Sequence, residues 1–265
     1  MSTPITKPGH LSPQYGDQFG DRSVVDAYRF RPPYPEELFD VLTGLITGRP
    51  GNVLDAGCGT GPIARHMAGR VDRVDALDIS GAMIEAGKRL PGGDHPNLRW
   101  TVGGMEDAPI EPPYALIVAG QSLHWMEWGI VMPRFARSLA PGAHLAIVNL
   151  KVATTPWSEG LLAVIQRHST NREYQPYSLV EELEMRHLFE KAGEVDTAWV
   201  PFQQPVEDYI GAMHSMNGLS RQRMTPREAD TFDEEARSII SPHAHDGLVE
   251  LQTSAGVIWG LPRPA

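Results

Sequence analysis

The stretch Val53-Leu54-Asp55-Ala56-Gly57-Cys58-Gly59-Thr60-Gly61 decides how the whole chain is read. A short apolar strand, Asn52 to Ala56, closes on alternating glycines, and Pro62 follows at a position suited to the start of a helix. Glycine takes up positive φ without a steric penalty and lets a ligand come close to the main chain. In a doubly wound sheet, the first strand-to-helix turn is where nucleotides bind. The spacing is G-x-G-x-G, and Pro62 stands where a dinucleotide fingerprint needs its last glycine, which disfavours a nicotinamide-dependent oxidoreductase. Asp55, at the end of the strand, suits a ligand with a positively charged amino acid part better than one with a pyrophosphate.

Outward from this loop the pattern is strand–helix alternation. A helix to about Arg70 is followed by a strand at Arg73 to Asp78, then a helix N-capped by Ser80 and running through Leu90. Strands are expected at Leu98 to Val102, Tyr114 to Gly120 and Ala143 to Leu150. Val131, Phe135 and Leu139 mark an intervening helix. Such alternation means a parallel sheet covered on both faces. Before the loop, Glu36 to Ile46 reads as a helix. Beyond Lys151 a helix is expected over Leu161 to His168. Another, carrying Leu183, Leu188, Phe189 and Ala192, should stop at Gly193. A strand over Val195 to Phe202, helices over 206–217 and 226–240, and a last strand from Leu248 to Trp259 complete the reading.

The chain of 265 residues carries 33 acidic against 23 basic residues, a net charge of -10 that repels a phosphate backbone; no nucleic-acid partner is expected. Arg221, Arg223 and Arg227 form the one basic cluster and read as a solvated helix face. Cys58 is the single cysteine, so no intrachain disulfide is possible. Met1 to His10 lack an apolar signal-like core, and the apolar stretches have strand length, so no membrane partner is expected and the cytoplasm is the expected compartment. Residues 1–14 read as a flexible tail and 15–265 as one domain. Its cofactor-binding core is about 36–150, with helical cap segments at about 15–35, 153–180 and 204–245. His243 and His245 lack a third ligand, so no metal site is expected.

The run VLDAGCGTG closely resembles motif I of the class I S-adenosylmethionine-dependent methyltransferases. The resemblance implies an α/β, Rossmann-like, doubly wound sheet of seven strands with the last one antiparallel. The implied cofactor is S-adenosyl-L-methionine. Gly57, Cys58, Gly59, Thr60 and Gly61 would lie against its methionine part, and Asp55 beside them. Asp78, in VDALDIS, matches the acidic residue that holds both ribose hydroxyls, and a carboxylate accepting two hydroxyl protons is good bidentate chemistry. Ile79 would pack on the adenine, and Met83 is placed in the same binding set. VGGMEDAP aligns with a segment usually written G-D-A-E: Met105 and Glu106 match, while Gly104 replaces the customary Asp. Ala115 likewise replaces an Asp of the fourth strand. YRFRPPYP and QSLHW resemble the trans-aconitate methyltransferase-like group, whose members methylate small organic acids and related metabolites. Tyr28 and Arg31 would then bind the cofactor carboxylate or an acidic substrate, since arginine matches a carboxylate fork.

Methyl transfer from a sulfonium is a direct displacement, so alignment and exclusion of water supply much of the catalysis and a base is optional. His124, just past the fourth strand, is the candidate catalytic base or substrate contact. Gln121 is a candidate for the cofactor's methionine end. Trp125 and Trp128 either stack on an organic substrate or pack beneath the loop, and Tyr177 is a substrate candidate from the cap. The expected reaction is methylation of a small molecule at a carboxylate or hydroxyl oxygen. Nitrogen or carbon acceptors, and a protein that binds the cofactor without methylating, are the alternatives.

Overall fold

The computed structural model describes residues 7–11, 13–48 and 50–263. Eight strands form one sheet: β1 Asn52–Ala56, β2 Arg73–Asp78, β3 Leu98–Val102, β4 Tyr114–Gly120, β5 Leu139–Val152, β6 Phe189–Asp196, β7 Val200–Pro205 and β8 Leu248–Pro262. The spatial order is β3-β2-β1-β4-β5-β8-β6, with β7 also on β8. β1 is parallel to β2 and β4, and β5 is parallel to β4. β8 enters antiparallel to β5, pairing Val148 with Val257. The expected seven-strand path with its antiparallel insertion is present, and β7 adds an eighth strand along the outer edge of β8. The chain order reverses between β1 and β4, which opens the crevice at the carboxyl ends of these strands.

The helices are α1 Pro13–Gly16, α2 Arg22–Tyr28, α3 Glu37–Gly44, α4 Ala64–Met67, α5 Gly81–Lys88, α6 Trp128–Ser138, α7 Ser158–His168, α8 Leu179–Met185, α9 Val206–Met213 and α10 Pro226–Ile240. Successive strand residues face opposite layers. Leu54, Ile117 and Ile147 pack with Trp128, Val131 and Phe135 of α6. Val53, Val118 and Val148 pack with Leu38 and Leu42 of α3 and Met67 of α4. Each fully buried aliphatic side chain contributes roughly 1.5–3 kcal/mol, so the two layers fix the sheet before any ligand binds. A third apolar cluster joins α7, α9 and α10 through Leu161, Ile210 and Phe232 into the cap. Among the described residues no helix is long and apolar enough to cross a membrane.

Several expectations are corrected, among them the strand over Val195 to Phe202, which is broken at 197–199 between β6 and β7. The helix ending at Gly193 stops at Met185: His187 takes a left-handed φ of 58°, and Phe189 onward pairs with β8 instead. Gly193 serves packing rather than helix termination, because a Cβ there would overlap the indole of Trp259. The helix after the glycine loop is a single turn, α4, rather than running to Arg70. Part of the supposed tail is docked: His10 and Leu11 are buried, and the Lys7 ammonium donates to the Met126 carbonyl at 2.8 Å. Residues 1–6 and 12 of that tail lie outside the described residues.

Candidate active site

The glycine loop turns back on β2. The N–H groups of Gly57 and Cys58 both donate to the Leu77 carbonyl, at 2.8 and 3.0 Å. Gly57 has φ of 70°, and a Cβ there would stand 2.5 Å from the Ser122 Cβ. No other residue fits, because the loop after β4 is pressed against it: the Ser122 hydroxyl donates to the Ala56 carbonyl at 2.6 Å. Cys58 is buried, and burial pushes its thiol well up, which leaves it a packing residue rather than a nucleophile.

The two carboxylates differ. Asp78 accepts the Gly59 N–H at 2.7 Å and the Ser80 N–H at 2.8 Å, one on each oxygen. Each oxygen keeps a further lone pair, so a vicinal diol could be held by a carboxylate already locked in place. Burial raises its pKa, and the two backbone donors oppose that rise. Asp55 is only 2% exposed and accepts the Ala64 N–H at 3.0 Å, which anchors the first turn of α4. Burial, with the Asp78 charge adding to it, pushes its pKa up to about 7. A nearby ligand cation would reverse that shift. Ile79 is 75% exposed and Val102 57%, so the ends of β2 and β3 present an apolar shelf suited to a base. This donor set fits a nucleoside with a cationic amino acid end.

Other expected site residues fall in several places. Met83 and Met105 are buried and stand behind the site. A Cβ at Gly104 would lie 3.0 Å from the Glu106 carboxylate, and Glu106 accepts the Glu127 N–H at 2.8 Å; this carboxylate crowds the space an Asp side chain would need. Thr60 is buried in the loop, and Gln121, with φ of 52°, is exposed at its edge. Tyr28 faces Gly59, its Cε1 3.5 Å from where a Cβ would be. Trp128 is excluded from substrate stacking: it is 0% exposed and its indole N–H donates to the Leu123 carbonyl at 2.9 Å. It belongs to the core because α6 presents it inward. Trp125 is half-buried, with Phe19 5.5 Å away on one side and His124 4.7 Å away on the other.

His124 lies in the turn Leu123–Trp125 and is half-buried. Burial, followed by the charges of Lys7, Arg31 and His10, lowers its pKa to about 4. Arg31 is fixed by the cap: its Nε–H donates to the Ser215 hydroxyl and its Nη2–H to the Ser215 carbonyl, both at 2.7 Å. Its guanidinium also lies 4.0 Å over the Tyr28 ring. Ser215 follows His214, whose ring nitrogens meet the Leu219 carbonyl at 2.8 Å and the Asp233 carboxylate at 2.7 Å. Lys7, His10 and Ser215 were invisible to sequence reasoning, since none lies in a motif, and Ser122, although within QSLHW, acts through a contact with Ala56 that is 66 residues away.

Residues 53–142 match a family described as a methyltransferase domain. The chain is 32% identical over 112 residues to a trans-aconitate 2-methyltransferase of Methylobacterium nodulans, 41% of this chain and 42% of that one. It is 37% identical over 78 residues to malonyl-[acyl-carrier protein] O-methyltransferase 1 of Ilyobacter polytropus, 29% of each chain. The matches thus span under half the length of these two curated relatives. A solved structure assigned as a type II methyltransferase of Anaeromyxobacter dehalogenans is similar in fold, with TM-score 0.60 and 23% identity over 88% of this chain and 99% of that one. Residues 53–142 are thus similar to a methyltransferase domain, and the fold of the chain is like that of the Anaeromyxobacter dehalogenans structure.

Proposed function

We propose that this protein transfers a methyl group from S-adenosyl-L-methionine to a carboxylate oxygen of a small organic acid. Asp78 would hold the ribose hydroxyls, Ile79 and Val102 the adenine, and Asp55 with the glycine loop the amino acid end. The bound cofactor supplies an electrophilic methyl carbon on a sulfonium. The chain's own residues align the acceptor with it and keep water out.

The observation that carries the choice of acceptor is the environment of His124. With a pKa near 4 this imidazole is neutral at pH 7 and a weak base. It is poorly matched to a hydroxyl or ammonium proton, whose pKa lies near or above about 10. A carboxylic acid is already ionised at neutral pH and needs no base. Lys7 and Arg31, the cations that depress His124, would attract such an anion in a chain of net charge -10. The two curated relatives above are named as methyltransferases of trans-aconitate and of malonyl-[acyl-carrier protein], and a small-acid acceptor is in keeping with those names.

The test is a comparison of methyl transfer to a monocarboxylic acid, the alcohol and the amine of equal chain length. Transfer to the acid alone is expected. Preference for the alcohol or the amine would overturn the carboxylate assignment.

A further inference from the structure

A cavity of about 430 Å³ lies between the docked N-terminal segment and the segment leading into α8, lined among others by His10, Glu173, Gln175, Tyr177 and Glu182. His10 is only 6% exposed, and its Nε2 finds no hydrogen-bond partner among the described residues. A buried ring nitrogen without a partner is unusual and calls for a ligand group or an ordered water. His10 meets the rings of Tyr177 and Tyr174, with centroids 5.0 and 5.7 Å away. His10 stands three residues after Lys7, whose ammonium donates at 2.8 Å to the carbonyl of Met126, two residues after His124. The docked segment therefore runs from the cavity to the turn that carries His124.

We propose that this cavity receives the far end of the acceptor, and that this end carries a protonated amine. The proposal rests on the carboxylate reading of the reacting end. An ammonium group offers the N–H that the unpartnered His10 Nε2 can accept. Tyr177, on the cavity wall, offers an aromatic ring that attracts a cation. Glu173 and Glu182 put negative charge on the same wall, and both carboxylates act on His10. Glu182 is partly compensated by its ion pair with Arg186, which leaves Glu173 the stronger attractor. A second carboxylate at this end would meet like charge from both glutamates. The two ends of the site thus differ in sign: Lys7 and Arg31 favour an anion beside His124, and the glutamates favour a cation beyond His10. An ω-amino acid fits both ends, and a dicarboxylate fits only one.

The test uses the full chain loaded with S-adenosylhomocysteine. Calorimetry compares straight-chain ω-amino acids of four to eight carbons with the alkyl acids and dicarboxylates of equal length, and n-butylammonium is titrated as a probe of the cavity alone. At the best-fitting length the amino acid should bind about tenfold more tightly than the alkyl acid, as for a cation on aromatic faces in a partly desolvated site. In the variant E173Q/E182Q, shown to be folded by its melting transition, that ratio should fall towards one and n-butylammonium binding should be lost. If no length shows an advantage for the ammonium group, if the dicarboxylate binds best, or if the advantage survives in E173Q/E182Q, the inference is overturned. Should alkyl acids bind and be methylated without any gain from the ammonium group, only this inference fails. Should n-butylammonium bind in a glutamate-dependent way while no acid is methylated, the carboxylate reading fails and the cavity assignment stands.

Discussion

Arg31 and Ser215 are 184 residues apart in sequence and are joined by two hydrogen bonds of 2.7 Å. The pair ties the segment after α2 to the cap after α9, so a cation that would meet the acceptor is aimed by a residue on the far side of the site. This dependence on a fixed fork distinguishes arginine from lysine at position 31.

Replacing Arg31 should therefore cost acceptor recognition. Arg31→Ala is expected to lower kcat/KM for the acid by about 10–100-fold, the range for losing a charge-assisted hydrogen bond. Arg31→Lys should recover only part of this, and Ser215→Ala should give a smaller loss in the same parameter. Steady-state kinetics with the acid varied are the check, and an unchanged kcat/KM in Arg31→Ala would remove the residue from the site.

Asp78 is predicted to control cofactor affinity. Its two oxygens are pre-set by the Gly59 and Ser80 N–H groups. Asp78→Ala should weaken binding at least about 100-fold, since two charge-assisted contacts are lost together. Asp78→Asn should fall between, and calorimetric titration of the cofactor decides. Wild-type affinity in Asp78→Ala would refute the placement of the ribose.

Asp55 should make cofactor binding pH-dependent. Its carboxyl has an ordinary value of 3.8 and is pushed up to about 7 in the folded chain. Without cofactor, its contribution to stability is fully present below about pH 4, is lost as pH rises towards 7, and is constant above that. A cationic ligand favours the ionised form, so affinity should increase through pH 7 and level off above it. Melting temperatures with and without cofactor at pH 6 and pH 8 give the difference, which should be larger at pH 8. Asp55→Asn should flatten it; an equal dependence in that variant would assign the effect to another group.

The two tryptophans of the loop after β4 should separate stability from turnover. Trp128→Ala removes a fully buried ring and is expected to cost about 3–5 kcal/mol of stability. Trp125→Ala, half-buried between His124 and Phe19, should instead raise KM for the acceptor with a smaller fall in melting temperature. Urea denaturation and kinetics on both variants test the contrast, and the reverse pattern would contradict it.

The parts of the site that could be read in the sequence are those built by adjacent residues. Gly57 to Gly61 and Asp78 end strands whose apolar runs are unmistakable, and Ser80 caps α5 by local chemistry, accepting the Met83 N–H at 3.3 Å. The acceptor side was not legible. Lys7 meets Met126, 119 residues away, and Asn171 donates to the His10 carbonyl, 161 residues away. No local pattern encodes such contacts, so the docked segment read as a tail. The misread helix at 183–193 has a different cause. Its apolar residues suit a helix, but the unpaired edge of β8 offered Phe189 to Asp196 a ladder that outweighed local preference. Trp128 was ambiguous because its sequence position fits a pocket wall and a core face equally.

The chemical nature of the product identifies the acceptor atom. The most direct measurement incubates the protein with methyl-labelled S-adenosylmethionine and the best-bound carboxylic acid, then treats the product with mild alkali. A carboxylate methyl ester, formed one-for-one with S-adenosylhomocysteine, should release all of its label as methanol. Label that stays on the acceptor after alkali would mean methylation at nitrogen, carbon or a hydroxyl oxygen, and would contradict the account.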